Sequence, residues 1–132
     1  MTQHQSSEIL FPEETYAVQG AIFEVYRHLG CGFLEAVYQE SLELELQARH
    51  IPFVAQRELA VSYKGMQLKQ KYVADIICYG KLLVELKATE KLLPAFESQV
   101  LNYLCISNLK LGLLVNFGHF PGVEIKRLVK SH

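Results

Sequence analysis

Glu85 and Lys87 stand two residues apart in Val84-Glu85-Leu86-Lys87-Ala88, and Asp75 lies ten residues before Glu85. Side chains alternate along a strand, so Glu85 and Lys87 share one face while Val84, Leu86 and Ala88 share the other. Asp75 sits inside Tyr72-Val73-Ala74-Asp75-Ile76-Ile77-Cys78, an apolar run in which a carboxylate is costly to bury unless its charge is compensated. A divalent cation compensates it. A hard ion such as Mg²⁺ takes carboxylate oxygens and keeps several waters, and Lys87 would flank such a water.

Tyr79-Gly80-Lys81 between the two runs reads as a hairpin turn. If Cys78 pairs with Leu82 across this three-residue loop, Asp75 falls opposite Glu85, with Cβ atoms about 5 Å apart. A two-residue loop without a bulge puts the two acids on opposite faces, so the chemistry depends on parity. The plain alternative is a half-solvated antiparallel strand, for which alternating charged and apolar residues are ordinary.

The 132 residues, half of them hydrophobic, suit one buried core, and a single domain over 1–132 is expected, with 1–11 flexible. A net charge of −1 with scattered cations is unlike a strongly basic nucleic-acid module. Cys31, Cys78 and Cys105 are odd in number and lack a Cys-x-x-Cys, which argues against a disulfide framework or zinc cluster and for a reducing cytoplasm. The five histidines show no ligand spacing and read as surface or capping residues. No basic leader with an apolar core opens the chain, and no apolar run reaches membrane-spanning length, so neither export nor membrane insertion is expected.

Pro12, Glu13 and Glu14 begin a helix that runs to about Leu29, with Val18, Ile22, Val25 and Leu29 on one stripe. Gly30-Cys31-Gly32 breaks it, and a second helix runs from near Phe33 to about His50. There Glu35 precedes Tyr38, Leu42 and Leu46 on or beside the buried stripe, an acid facing inward; a first-turn glutamate answering the helix dipole is the competing explanation. Glu40, Glu43 and Glu45 read as exposed. Phe53 to Tyr63 is β-like, Lys64-Gly65 turns the chain, and Met66 to Tyr72 leads into the strand carrying Asp75. Lys64, Lys69, Gln70 and Lys71 form a modest basic cluster. Pro94 opens a third helix to about Asn108, with Phe96, Val100, Tyr103 and Ser107 on a stripe and Gln99 one turn before Tyr103. Lys110 to Phe117 is a strand buried on both faces, and Val123 to Val129 an edge strand.

Helix, helix, a three- or four-stranded meander, helix, strand, strand is the order of the αβββαβ core of the PD-(D/E)xK nuclease superfamily, and Asp75 followed by Glu85-x-Lys87 resembles its signature. The chain more closely resembles the small GxxExxY proteins of bacteria and archaea, whose motif stands here as Gly32-Phe33-Leu34-Glu35-Ala36-Val37-Tyr38. Tyr72-x-Ala74-Asp75, Gln99-x-Leu101-Asn102-Tyr103-Leu104 and Gly112-Leu113-Leu114-Val115-Asn116-Phe117-Gly118 extend the match from about Glu14 to Lys130. The resemblance implies an α/β, restriction-endonuclease-like fold with a mixed central sheet flanked by helices. It also implies a nuclease site: Asp75, Glu85 and the Leu86 carbonyl on the metal, Glu35 on a second ion or its water, and Lys87 orienting the attacking water. Gln99 with Tyr103 resembles a Gln-xxx-Tyr motif that supports the lysine or contacts the strand. Phe96 stands where many relatives carry histidine.

The expected activity is Mg²⁺- or Mn²⁺-dependent hydrolysis of phosphodiesters in nucleic acid, DNA ahead of RNA. The rival is a non-catalytic protein-interaction module on the same fold, favoured by near-zero charge and the lack of a basic groove. A homodimer would supply a larger binding surface, although no residue marks an interface.

Overall fold

Pro12 at the first turn, where its missing N–H costs nothing, and Glu13 and Glu14 beside it start helix α1 (Pro12–Leu29) as expected. The computed structural model describes residues 10–130. Helix α2 (Glu35–Ala48), strands β1 (Phe53–Tyr63), β2 (Met66–Cys78) and β3 (Leu82–Lys87), helix α3 (Pro94–Ser107) and strands β4 (Leu111–Asn116) and β5 (Glu124–Val129) follow. Of the segment expected to be flexible, residues 1–9 lie outside the described residues, whereas Leu10 and Phe11 pack on the core.

The sheet runs β1-β2-β3-β4-β5, with β3 and β4 parallel and every other neighbouring pair antiparallel. A parallel pair needs a crossover, and α3 provides it. The meander has three strands. This is the expected α/β fold, a mixed sheet between two helical layers. On one face Val18 and Ile22 of α1 and Leu42 and Leu46 of α2 bury Ile76, Val84, Leu86 and Leu113; on the other, Val100 and Leu104 of α3 bury Ile77, Leu83 and Leu114. Strand β4 is therefore covered on both sides, as its unbroken apolar run requires.

The motif tyrosine has a structural task. Tyr38 stacks on Phe117 with ring centroids 4.5 Å apart, and its hydroxyl donates to the Gly30 carbonyl at 2.5 Å while accepting from the Phe33 N–H at 3.2 Å. It thereby ties the elbow between α1 and α2 to the core and fixes the turn that carries Glu35.

The β1–β2 ribbon turns over partway along its length. Phe53, Ile76 and Cys78 pack on the α1/α2 side, yet Leu59 and Ala74 pack on the α3 side, where Tyr72 also meets Tyr103. Strict alternation puts residues 72, 74, 76 and 78 on one face. The change falls between the pairs Ala55↔Ile76 and Arg57↔Ala74, and therefore at Gln56 and Asp75. Gln56 has φ 53°, a left-handed conformation that a glutamine in a strand takes only under tertiary constraint. Gln56→Val is expected to lower the melting temperature by roughly 5 °C or more, since a β-branched residue is worst suited to that conformation, while Gln56→Gly melts near the wild type. Equal melting of both variants would show that the left-handed turn carries no strain.

Candidate functional site

Tyr79 (φ 58°) and Gly80 (φ 67°) curl the chain tightly enough that Cys78 pairs with Leu82 across three residues, the odd loop on which the site depends. Ile77↔Leu83 and Ile76↔Val84 continue the register, which sets Asp75 opposite Glu85. There the ladder of main-chain bonds ends. The Asp75 N–H donates to Glu85 Oε2 and the Leu86 N–H donates to Asp75 Oδ2, each at 2.8 Å. Each carboxylate thus caps the opposite strand with one oxygen, leaving the other for a shared proton or a cation.

Burial governs the charge of this pair. Glu85 is only 4 % exposed, and burial, then the neighbouring Asp75 charge, push its pKa up to about 8. Burial raises Asp75 as well, opposed by the Leu86 N–H, the Lys87 charge and the Gln56 side chain. Lys87 lies 3.2 Å by Nζ from Gln99 Oε1 and 4.5 Å from the centre of the Phe96 ring, so amide and aromatic face hold the ammonium beside the acids. Phe96 occupies that position as a platform for the lysine.

Stability of the metal-free protein follows from these shifts. Unfolded Glu85 loses its proton near the ordinary 4.5, whereas the folded protein retains it to about 8. The folded state binds the extra proton in between, so stability falls as pH rises through that window and levels off above it. In chelator the melting temperature should drop by roughly 5 °C across the window. Glu85→Gln should flatten the curve, and a melting temperature that rises over the same range would contradict the shared-proton pair.

Glu35 departs from expectation. The stripe holds for Tyr38, Leu42 and Leu46, but Glu35, one turn before Tyr38, is exposed. It stands at the mouth of a cavity of about 440 Å³ that also includes Asp75, Gln39, Gln56, Glu40 and Glu43. Partial burial and the Asp75 charge raise its pKa, and Lys87 lowers it. Among the described residues no three acidic, histidine or cysteine side chains converge closely enough to hold an ion by themselves. Glu35 therefore flanks the Asp75–Glu85 pair rather than completing it. Glu43, expected to be merely exposed, is half-buried here and accepts from Gln39 Nε2 at 2.8 Å.

On the opposite flank Gln99 and Tyr103 project from α3. Tyr103 is 6 % exposed, its ring centroid 5.2 Å from that of Tyr72, and burial followed by the Glu85 and Asp75 charges raises its hydroxyl pKa. Val100 and Tyr103 lie on the expected stripe. The structure thus gathers Asp75, Glu85, Lys87, Gln99 and Tyr103 around one point, with Glu35 at its edge.

Three neighbours escaped the sequence reading. Gln39 donates from Nε2 to the Asp75 carbonyl at 3.1 Å and so anchors β2 to α2. Gln56 lies against the Asp75 carboxylate. Asn116 is fully buried; its Oδ1 accepts from the Thr89 and Gly118 N–H groups at 3.0 and 2.9 Å, its Nδ2 donates to Glu124 Oε1 at 3.0 Å, and the Phe117 N–H donates to the Lys87 carbonyl at 2.8 Å. Gly118 has to be glycine, because a Cβ there would come within 2.3 Å of the Thr89 carbonyl oxygen. Only Asn116 carried a signal, a polar residue closing a buried strand.

The donor set fits a hard divalent cation. Two carboxylates with uncommitted oxygens are joined by the Leu86 carbonyl, which points to the same strand edge as the Leu86 N–H that meets Asp75. A cation would offset the burial and the Asp75–Glu85 repulsion that otherwise retain a proton.

The fold and the family recur in known proteins. The crystal structure of SSO0001 shares the fold at 20 % identity and a TM-score of 0.59, over 74 % of this chain and 50 % of that one, so this chain spans half the length of that protein. The comparison with curated proteins finds no match. Residues 12–128 match the family model of the PD-(D/E)XK nuclease superfamily, and with nearly the whole described chain so matched, the protein belongs to that superfamily.

Proposed function

We propose that this chain is a divalent-metal-dependent nuclease that hydrolyses phosphodiester bonds, in DNA ahead of RNA. The observation that carries the reading is the pair of buried Glu85 and half-buried Asp75, held opposite by side-chain-to-main-chain bonds with Lys87 two residues beyond Glu85 on the same strand. Nucleases of this superfamily generally use divalent metals. Mg²⁺ or Mn²⁺ would be held by Asp75, Glu85 and the Leu86 carbonyl, and when bound would lower the pKa of water and offset charge developing on the phosphate.

The chain's own residues divide the remaining work. Lys87, steadied by Gln99 and Phe96, donates to a phosphate oxygen or orients the attacking water. Glu35 takes up a proton or holds a water at the cavity mouth, for which its raised pKa suits it. Gln39 holds the Asp75 carbonyl and Gln56 lies against the Asp75 carboxylate. The free cysteines fit a reducing cytoplasm, and no helix among the described residues is long and apolar enough to cross a membrane.

Calorimetric titration of Mg²⁺ and Mn²⁺, followed by plasmid and single-strand cleavage, tests the reading. Saturable binding with metal-dependent cleavage supports it. Absence of binding would shift the assignment to an interaction module, which the near-neutral charge also accommodates.

A further inference from the structure

The carboxylate pair is flanked by two cavities of opposite character. The one under α2 includes Glu35, Glu40, Glu43 and Asp75, and its field attracts cations and repels phosphate. The other, of about 400 Å³, is lined by Tyr72, Ala95, Ser98, Gln99, Asn102 and Tyr103, without a charged side chain. Its volume lies within the roughly 300–1,000 Å³ of ordinary small-ligand sites.

Each lining group suits a flat, uncharged ligand with donors and acceptors on its rim. Tyr72 is 45 % exposed while Tyr103 is buried behind it with its ring tilted by 40°, so one aromatic wall remains accessible and the other braces it. Ser98 and Asn102 are a turn apart on α3, both exposed, and offer a hydroxyl and an amide. Gln99 joins the cavity to the chemistry, since it lines the wall and accepts from Lys87 Nζ at 3.2 Å. Aromatic faces beside amide and hydroxyl groups are the means by which proteins hold unstacked nucleobases. A phosphate would find no cation among the lining residues, whereas Lys87 lies beyond them, bonded to Gln99.

We propose that the cavity between Tyr72 and α3 receives an unstacked nucleobase of the strand being cut, adjoining the phosphate that Lys87 faces. This rests on the nuclease reading and deepens it: a base paired and stacked within a duplex cannot enter, so the substrate is single-stranded or a frayed end. The α2 flank admits the cation and the α3 flank admits the strand.

The chain contains no tryptophan, so Tyr72→Trp installs its one selectively excitable indole at the cavity wall. Titration in Ca²⁺ with a twelve-residue oligothymidylate, and with an abasic oligomer of equal length and charge, separates base binding from phosphate binding. Saturable quenching by oligothymidylate, with roughly 5- to 100-fold weaker binding of the abasic oligomer, is expected. In parallel, anisotropy of labelled oligomers with the wild-type protein should show the same preference, and Tyr72→Ala should erase it. Equal binding of both oligomers would mean that only phosphates are recognised and would overturn the proposal. Metal-dependent plasmid cleavage without any base preference would do the same while leaving the nuclease reading intact. Absence of both oligomer binding and cleavage would remove that reading and the proposal together.

Discussion

Asp75→Asn is expected to abolish Mg²⁺ and Mn²⁺ binding and to lower cleavage by about 10³-fold or more, with the protein still folded. Several kcal/mol of charge stabilisation depend on the ion, and each 1.4 kcal/mol is tenfold in rate. Asparagine retains an oxygen that can accept from the Leu86 N–H, so the strand contact survives the loss of charge. With the Asp75 charge removed, Glu85 is relieved of its repulsive neighbour and its pKa falls toward the ordinary carboxylate range, although burial still holds it up. Calorimetry for binding, cleavage for activity and a thermal melt for folding separate these effects. Normal cleavage by the folded variant would remove Asp75 from the site.

Lys87→Met is expected to separate two properties that Asp75→Asn loses together. Methionine preserves much of the apolar stem over Phe96 but removes the ammonium, leaving the Gln99 carbonyl without its donor. Cleavage should fall by about 10²- to 10³-fold, the usual effect of deleting one preorganised donor to developing charge. Metal affinity should stay the same or increase, because a cation no longer faces a like charge across Asp75 and Glu85. Metal binding lost in parallel with cleavage would indicate that Lys87 supports the carboxylates rather than the reacting phosphate.

The fold was largely legible because its signals are local. Pro12 and Pro94 mark helix starts, Lys64-Gly65 marks the hairpin tip, and the continuous run at Leu111 to Phe117 could be buried only between two layers. The placement of Asp75 opposite Glu85 was legible through parity, given an odd loop at Tyr79 to Lys81. Helical periodicity failed at Glu35, since it extends a stripe to the first turn of α2, where the helix borders an open cavity instead of packed side chains. Gln56 and Gln39 gave no signal: a glutamine in the left-handed region has no local preference behind it, and an amide that reaches a carbonyl 36 residues away follows from tertiary packing alone.

The turnover of the ribbon at Gln56 separates what lies beyond it from the carboxylates. From Met66 to Val73 strand β2 is exposed, and the hairpin closes at Lys64 and Gly65, both with positive φ. Length changes tend to be absorbed at exposed loop tips of this kind. A peptide tag or dye grafted between Lys64 and Gly65 should therefore leave the spacing of Asp75, Glu85 and Lys87 intact, giving an attachment point for immobilising the protein on a surface.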